Sequence, residues 1–382
     1  MPFEFVHLAK AYFPIPGGIE NLTQLFCEGL ERSGHTVRVI SFNDPKSTSK
    51  TSIDRVNGVE VLRIRPFTRI YSQPFSRTYI LEAICAMKSS KELHVHWPNF
   101  IAFFSVYIAS YLIPKSKRAK VVIHWHGDAV RQRPIRFLFA PIVKRVIRVA
   151  SRIVVATPYY FEISDFKDEL QKKKTFELPL TVTEDFEKKL KEQGGANLIP
   201  YKGGTFKITA LGRYVWLKGF QDLIQAVSRI SSEIEVTIMG AKDSYYDVLE
   251  KQIEEMKVTA KVKLLTNLSM DDVIRNIRES HLFVMPSKQE MAGIVQMEAM
   301  LCGKAVITTD IPRSAVNYFN QKDVTGLVVP VGDPEELTKA IEALRDDPQK
   351  LLKLSQNALK RAQNEFVTEK YKNAIQSYVE AQ

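Results

Sequence analysis

Cysteine is scarce in this sequence of 382 residues, with only Cys27, Cys85 and Cys302 present. Their odd number and wide spacing show neither a disulfide framework nor a metal-binding cysteine motif, and they fit a reducing compartment. Long apolar runs are also missing. The longest, residues 100–113, is shorter than the roughly 20 residues that cross a bilayer, and it is expected to be a buried helix. A signal peptide is not expected, because Met-Pro-Phe-Glu leads directly into a predicted strand.

Positive charge is concentrated in the first half of the chain. Residues 1–180 hold 27 Lys and Arg against 15 Asp and Glu, a net charge of +12, whereas the other 202 residues hold 27 against 28. A basic half favours an anionic partner, such as nucleic acid, an acidic lipid surface or an anionic substrate. RNA-recognition, zinc-finger and homeodomain signatures are absent from the sequence. We therefore expect an anionic membrane surface, and no nucleic acid, as a partner; charge that only solubilises the protein is the alternative.

Strand-like and helix-like segments alternate along the whole sequence, which is longer than one hydrophobic core usually supports. The alternation predicts an α/β fold with two Rossmann-like parallel sheets and right-handed crossovers. One exception is a polar loop, expected to run up to Asn57-Gly58. We place the domains at 1–185 and 186–365, because residues 181–204 break the alternation with charge and glycine. An amphipathic helix is expected at 366–382.

Three features of the first half fall where predicted strands end. They are the pair Gly17-Gly18, His96 and His126. In parallel sheets, ligands bind beyond the carboxyl ends of the strands, and paired glycines let a backbone approach a ligand closely. A lone histidine is more often structural than functional. The convergence of three features on one sheet edge is therefore the signal.

A cationic pair follows the first strand of the second half. Arg213 and Lys218 stand five residues apart in the loop Gly212-Arg-Tyr-Val-Trp-Leu-Lys-Gly219. Arginine binds phosphate by its fork geometry and lysine as a point charge, so this pair is suited to a diphosphate. Residues 240 and 267, which follow the next two strands, are Gly and Asn.

The segment from Glu290 to Gly303 contains two glutamates eight positions apart, Glu290 in a loop and Glu298 inside a helix. Gly293 would begin that helix, leaving the N–H groups of Ala292, Gly293 and Ile294 free to bind an anion. Taken alone, this pattern also fits an ordinary strand-to-helix turn with solvated glutamates.

These features in this order resemble glycosyltransferase family 4, retaining enzymes with the GT-B fold. The resemblance covers nearly the whole chain and is densest in Gly-Arg-x4-Lys-Gly at 212–219, Glu-x7-Glu-Ala-Met at 290–300 and Thr325-Gly-Leu-Val-Val-Pro-Val-Gly-Asp333. It implies two Rossmann-like domains facing a central cleft, with a C-terminal helix that crosses back to the N-terminal domain. The sequence departs from the family pattern at Gly240-Ala-Lys-Asp243, where Gly-Glu-Gly-Pro is common, and at Met291.

The resemblance also implies residue roles. Glu290 would bind hydroxyls of the donor sugar, Glu298 the ribose, and Arg213 with Lys218 the diphosphate, while His126 would lie at the reacting face. His126, Glu290, Arg213 and Lys218 are the expected catalytic residues. The expected donor-binding set adds Gly17, Gly18, Gly240, Asn267, Leu268, Ala292, Gly293, Ile294 and Glu298; His96, Asp128 and Arg131 are expected acceptor contacts, although Asp128 and Arg131 could equally cap a helix.

The implied activity is transfer of a hexose-type sugar from a UDP- or GDP-sugar to a lipid-linked or cell-surface saccharide. We expect no metal or other cofactor, consistent with the absence of any Asp-x-Asp triplet. The expected location is the cytoplasmic face of the membrane, with peripheral association. Alternatives are a non-catalytic nucleotide-sugar-binding subunit and a GT-B epimerase. Assay of the Glu290→Ala or Arg213→Ala variant and product analysis, respectively, would separate these from a transferase.

Overall fold

We describe a computed structural model, which covers residues 3–15, 17–43, 50–70, 73–128 and 133–381. The chain divides into two compact units. The N-terminal unit comprises Met1–Pro179 together with Tyr371–Gln382, and the C-terminal unit comprises Leu180–Lys370. The division falls before the predicted boundary at 185–186, which lies inside a helix at Glu184–Glu192. The charged and glycine-containing stretch 181–204, on which that prediction rests, holds this helix and the loop behind it.

The N-terminal unit is built on one eight-stranded sheet. Its strands are β1 (Phe5–Leu8), β2 (Val37–Phe42), β3 (Ser52–Val56), β4 (Val59–Ile64), β7 (Glu92–Trp97), β8 (Lys120–Trp125), β9 (Arg152–Val155) and β10 (Thr175–Glu177). Their order is β10-β9-β8-β7-β1-β2-β4-β3, and β5 (Thr68–Ile70) pairs separately with β6 (Gln73–Phe75). Neighbouring strands of the large sheet run parallel except β3 and β4.

Helices cover this sheet. They are α1 (Gly18–Arg32), α2 (Arg77–Ser89), α3 (Phe100–Leu112), α4 (Arg133–Val149), α5 (Tyr159–Glu162) and α6 (Lys167–Leu170). The apolar run at 100–113 is indeed a helix buried along most of its length, and Asn99 caps it by accepting from the Ala102 N–H.

The prediction of a polar loop up to Asn57-Gly58 is wrong in part, because residues 52–56 form strand β3. Asn57 and Gly58 both have positive φ, 46° and 86°, as a tight hairpin turn requires. β3 is almost fully exposed and lies at the sheet edge, so it shows no apolar alternation for the sequence to reveal.

The C-terminal unit carries a six-stranded parallel sheet. Its strands are β11 (Phe206–Leu211), β12 (Ile234–Met239), β13 (Val262–Leu265), β14 (Leu282–Met285), β15 (Ala305–Asp310) and β16 (Gly326–Pro330), in the order β13-β12-β11-β14-β15-β16. Its helices are α7 (Glu184–Glu192), α8 (Phe220–Ser228), α9 (Tyr246–Glu255), α10 (Met270–Glu279), α11 (Ile294–Leu301), α12 (Val316–Phe319), α13 (Pro334–Arg345) and α14 (Pro348–Glu365). Short 3-10 turns occur at Lys115–Lys117 and Trp216–Lys218.

The last helix, α15 (Thr368–Glu380), leaves the C-terminal unit and joins the N-terminal one. The Tyr371 hydroxyl donates to the Leu22 carbonyl at 3.1 Å, and the Tyr378 hydroxyl donates to Glu92 at 2.6 Å. Ile375 packs so closely on Gly29 that a Cβ there would lie 2.5 Å from its Cδ1. The apolar face that the sequence predicted for this helix is therefore part of the N-terminal core.

Candidate active site

The sheet order of the C-terminal unit creates a crevice between β11 and β14. From β11 the chain proceeds outward to β12 and β13 on one side, whereas β14, β15 and β16 follow on the other. The loops that leave β11 and β14 therefore diverge at their carboxyl ends, which is where open parallel sheets bind ligands. The loop after β11 contains Arg213 and Lys218, and the loop after β14 contains Glu290 and Gly293.

Lys218 and Glu290 form an ion pair across this crevice. The Lys218 Nζ lies 2.5 Å from the Glu290 Oε2, and the two side chains are 19% and 22% exposed. The other carboxylate oxygen, Oε1, accepts from the Met291 N–H at 3.1 Å. The pair joins residues 72 positions apart, and it fixes an ammonium group beside the loop that leads into α11.

Arg213 lies at the same sheet edge but is mostly exposed and only weakly paired. Its side chain is 70% exposed, and its only ion pair among the described residues is a contact of 3.5 Å with Asp243. An exposed pair at that distance adds little stability and leaves the guanidinium able to turn toward an anion. Asp243 belongs to the loop after β12 in which the sequence departs from the family pattern.

Backbone donors face the crevice where α11 begins. Gly293 precedes the helix with φ of 71°, and a Cβ there would lie 2.6 Å from the Met285 sulfur. Within the described part of the chain, the N–H groups of Ala292, Gly293 and Ile294 have no hydrogen-bond partner. Unpaired donors at a helix N-terminus, reinforced by the helix dipole, attract anions such as phosphate.

Glu298 lies on the second turn of α11 and is half-buried. Burial raises the pKa of its carboxyl group to about 7. A carboxylate held in such surroundings gains from hydrogen-bond donors that a ligand brings, since ligand hydroxyls would replace the lost water.

The remaining predicted donor residues lie at the same sheet edge. Gly240 follows β12, and a Cβ there would stand 1.8 Å from the Gly212 carbonyl oxygen, so only glycine fits. Asn267 and Leu268 follow β13, and Asn267 adopts a left-handed φ of 56°. β12 and β13 lie outward from β11, so these residues extend the edge away from Glu290.

In the N-terminal unit, Gly18 is the first residue of α1, and a Cβ there would meet nothing within 4 Å. Gly17 is packed instead, because its Cβ would lie 2.0 Å from a Glu20 carboxylate oxygen. Burial raises the pKa of Glu20. Together with His96, Thr23 and Asn99, Glu20 lines a small cavity beyond the ends of β1 and β7. Glu20 was missed from sequence, where it is one ordinary acidic residue in a first helical turn.

His96 and His126 belong to a group of five histidines in the N-terminal unit, with His7, His94 and His124. Their Nδ1 and Nε2 atoms make four contacts between 2.8 and 3.3 Å with one another and with Thr23. Burial lowers the pKa of every one, to about 4 for His126. The sequence signal was available: His94 and His96 stand two apart on β7, as do His124 and His126 at the end of β8, so the members of each pair share one face.

Comparison with known proteins decides the family. The model of the group described as Glycosyltransferase Family 4 matches residues 16–163, and that of Glycosyl transferases group 1 matches residues 199–361. The chain belongs to glycosyltransferase family 4. Its relatives include the O-antigen chain mannosyltransferase C of Escherichia coli, 24% identical over 98% of this chain and 96% of the relative. Another is the D-rhamnosyltransferase WbpZ of Pseudomonas aeruginosa, 26% identical over 94% and 91%.

Solved structures show the same fold. Sucrose-phosphate synthase from Thermosynechococcus elongatus superposes on this glycosyltransferase with a TM-score of 0.73 at 16% identity, covering 99% of this chain and 98% of the other. HepE from Anabaena, solved in complex with UDP, gives 0.72 at 19% identity over 99% and 100%. The fold is therefore GT-B.

Asp128, an expected acceptor contact, is occupied within the protein. It is buried, and its two oxygens accept from the Ser164 hydroxyl at 2.9 Å and the Asp165 N–H at 2.8 Å. The next described residue is Arg133, the first of α4. The sequence could not show a partner 36 residues away. Arg131 lies outside the described residues.

Lys288, in the loop after β14, is a further cation at the crevice that sequence reasoning missed. Its Nζ lies 2.5 Å from the Asp222 carboxylate and 5.3 Å from the centre of the Trp216 ring. Both partners belong to the loop and helix that follow β11, so Lys288 ties the two sides of the crevice together near the Lys218–Glu290 pair.

The buried histidines predict that the glycosyltransferase loses stability in mild acid. Their pKa values are lowered in the folded chain, so below pH 6.5 the unfolded chain binds protons that the folded chain does not. From pH 7 to 5 each histidine can remove up to about 2 kcal/mol of unfolding free energy. Urea titrations followed by the fluorescence of buried Trp97 and Trp125 measure this.

The His124→Gln variant provides the control for that titration. It removes one titrating ring. The slope of the unfolding free energy against pH should therefore fall by an amount that corresponds to one bound proton at most. A stability that stays flat between pH 7 and 5 would contradict the assignment of these rings as neutral in the folded protein.

Proposed function

We propose that this glycosyltransferase moves a hexose-type sugar from a nucleoside-diphosphate sugar to a saccharide acceptor in polysaccharide or O-antigen assembly, with retention of anomeric configuration. The observation that carries the proposal is the Lys218–Glu290 pair beside the free N–H groups at the start of α11. A cation, a helix N-terminus and a carboxylate meet there at the β11–β14 crevice. These are the groups that a diphosphate and a sugar need.

Diphosphate binding follows from the charges. Arg213 and Lys218 provide two cations from one loop, and the N–H groups of residues 292–294 provide oriented donors from another. In the free protein Glu290 neutralises Lys218. A bound diphosphate would take over the ammonium group and leave the Glu290 carboxylate to accept hydroxyl hydrogens of the sugar.

The same groups would serve the reaction. Breaking the anomeric C–O bond leaves negative charge on the departing phosphate oxygen, and the new bond forms to the acceptor oxygen. Preorganised cations and N–H groups stabilise that developing charge without reorganising. We infer that they do the work a divalent cation does elsewhere, so that no metal or other cofactor is needed. The leaving phosphate then receives the acceptor proton.

The acceptor class is supported by the names of relatives. Two that align over more than nine-tenths of this chain are an O-antigen chain mannosyltransferase and a D-rhamnosyltransferase. A third, covering 42% of the chain, is a capsular polysaccharide biosynthesis glycosyltransferase from Staphylococcus aureus. A growing surface polysaccharide, on a lipid carrier, fits all three names. UDP and GDP remain the proposed nucleotides of the donor.

An exposed patch of apolar and basic side chains at the end of α3 supports the proposal of peripheral membrane association. At the end of α3, Tyr111 and Leu112 are 64% and 65% exposed, beside Lys115, Lys117, Arg118 and Arg145. The Arg145 guanidinium lies 4.7 Å from the Tyr111 ring centre. The sequence has no acidic residue from 93 to 127. None of the helices in the described ranges is long and apolar enough to cross a bilayer. We infer that the protein binds the anionic cytoplasmic membrane face through this patch.

The Lys218→Met variant tests the catalytic role of the crevice. Loss of the ammonium group should lower kcat/KM by about 100-fold or more, because one preorganised charge at a transition state contributes roughly 2.7–4 kcal/mol. The matched control is Lys263→Met, which breaks a pair of similar length, 2.8 Å to Glu235, outside the crevice. Product analysis by NMR should show a new glycoside with the donor's anomeric configuration. Equal activity of both variants, or release of an isomerised free sugar, would refute the proposal.

Glu298 should make nucleotide affinity depend on pH. With a pKa of about 7, its carboxyl group is mostly neutral at pH 6 and mostly ionised at pH 8. If ribose hydroxyls donate to it, affinity should rise about ten-fold across that range. Calorimetry with UDP and GDP measures this, and a 2′,3′-dideoxy diphosphate corrects for ionisation of the phosphate. Persistence of the pH dependence in the Glu298→Gln variant would rule out this role.

The α3-end patch, Tyr111, Leu112, Lys115, Lys117, Arg118 and Arg145, should bind anionic vesicles. Sedimentation should show binding at low salt and release at about 0.5 M salt, where screening acts within about 4 Å. Leu112→Ser should weaken binding, whereas Val248→Ser, an exposed apolar position of the C-terminal unit, should not. Binding that ignores both salt and Leu112 would exclude this surface.

A further inference from the structure

The five histidines line one face of three neighbouring strands. His7 lies on β1, His94 and His96 on β7, and His124 on β8, with His126 just beyond its end. Register pairs His7 with His94 and His96 with His124. The rings therefore stand side by side, and their hydrogen bonds can be traced ring by ring.

One row of hydrogen-bonded histidine rings, which we call the first file, ends at His126. Thr23 fixes the direction in which the rings of this file donate. The Thr23 hydroxyl donates to the Ile19 carbonyl at 2.8 Å, so toward the His96 Nδ1, 3.3 Å away, it can only accept. The His96 proton is therefore on Nδ1. The His126 Nε2 lies 3.1 Å from that same nitrogen and must accept as well. A neutral His126 then carries its proton on Nδ1.

The file continues to His7 in the same sense. With its proton on Nδ1, His96 has a bare Nε2, which accepts from the His7 Nδ1 at 3.2 Å. The His7 Nε2 is then left bare, and it is buried with no hydrogen-bond partner among the residues that the structure describes. Burial keeps these rings neutral by lowering their pKa values, so each ring has one proton and the order is fixed from His7 to His126.

A second file packs against the first. The Tyr378 hydroxyl donates to a Glu92 oxygen, and the His94 Nε2 lies 3.3 Å from the same oxygen. The His94 Nδ1 and the His124 Nε2 share a hydrogen bond of 2.8 Å. Ring stacking joins the files, with centroids 4.2 Å apart for His7 and His94 and 4.5 Å apart for His96 and His124. The second file thus stiffens the first and fastens it to α15.

We propose that His96 and His7 are positioning residues that hold His126 as the Nδ1–H tautomer, so that His126 meets its ligand as a hydrogen-bond donor and not as a base. The inference deepens the proposed function, because it takes His126 to be a site residue. A donor suits a sugar oxygen or an oxygen that gains negative charge. It also agrees with transfer of the acceptor proton to the leaving phosphate.

Metal binding is the other use that such a cluster could have. One nitrogen each of His7, His96 and His124 lies within 4.8 Å of the others, all buried. The planes of His96 and His124, however, are inclined by only 21° and stacked. Stacked rings direct their lone pairs along nearly parallel planes, not toward one point, and the file already uses both nitrogens of His96.

The test reads the tautomers directly, in the protein without ligand. Long-range 1H–15N spectra of protein labelled at histidine should show His126 and His96 protonated at Nδ1. Two variants distinguish the loss of the N–H that His96 donates to His126 from the loss of the His96 ring itself. His96→Asn places an amide N–H near the position of Nδ1 and keeps the donor to His126, whereas His96→Gln places its amide near Nε2 and loses it. We expect the His126 tautomer to persist in His96→Asn and to become mixed in His96→Gln.

Turnover gives the second readout. His96→Gln should lower kcat by about ten- to a hundred-fold, the range seen when a metal-binding histidine loses the partner that orients it, with little change in the donor KM. His96→Asn should retain most of the activity. Both variants lose the same ring, so matched melting temperatures exclude a general loss of fold as the cause. His7→Gln, one ring further back, should give a mixed His126 tautomer and a smaller loss, and it serves if His96→Gln does not fold.

Three results would overturn the proposal. They are an Nε2–H His126 in the unmodified protein, an unchanged His126 tautomer in His96→Gln, and one bound transition metal per chain held by the cluster. Failure of the proposed function is distinguishable, since it would appear as absent turnover in the unmodified protein while the tautomer pattern stayed as expected.

Discussion

The ion pair between Lys218 and Glu290 is the interaction on which the candidate site depends. It holds a cation and a carboxylate at the crevice where the loops after β11 and β14 diverge, 2.5 Å apart and mostly shielded from water. Each charge would be costly there alone. Together the two charged groups leave the site with no net charge. A ligand that has both phosphate and hydroxyl groups could then bind the cation with the one and the carboxylate with the other.

Sequence reasoning reached most of this site because the chemistry is local. Arg213, Lys218, Glu290 and Gly293 each follow a strand within a few residues, so recognising the strands placed them at one sheet edge. The alternating apolar segments predicted those strands and two parallel sheets, and the family resemblance added the GT-B fold. The returning helix was foreseen from the family resemblance, although its contacts with Glu92 and Leu22 were not.

What sequence reasoning missed depends on distant partners or on exposure. Strand β3 is exposed and held by its pairing with β4, so it shows no apolar alternation. The hydrogen bonds that Asp128 accepts from Ser164 and Asp165 join two distant segments of the chain. The histidine files needed the register of three strands, which no spacing within one strand provides.

The two units divide the chemistry between them. The C-terminal unit concentrates charge at the β11–β14 crevice, while the N-terminal unit combines an excess of positive charge on its surface with neutral, ordered histidines in its interior. Burial accounts for both the raised pKa of Glu298 and the lowered pKa of His126, because it disfavours whichever form is charged.

The most direct test of the account is a thermal-shift measurement with UDP, GDP, ADP, dTDP and their sugars, each with and without EDTA. Binding at 100 times the dissociation constant adds about 2.7 kcal/mol to stability, which gives a clear rise in melting temperature. The account predicts that one base stabilises the protein equally in EDTA, and that this rise is lost in Lys218→Met. Stabilisation abolished by EDTA, or none by any nucleotide, would contradict it.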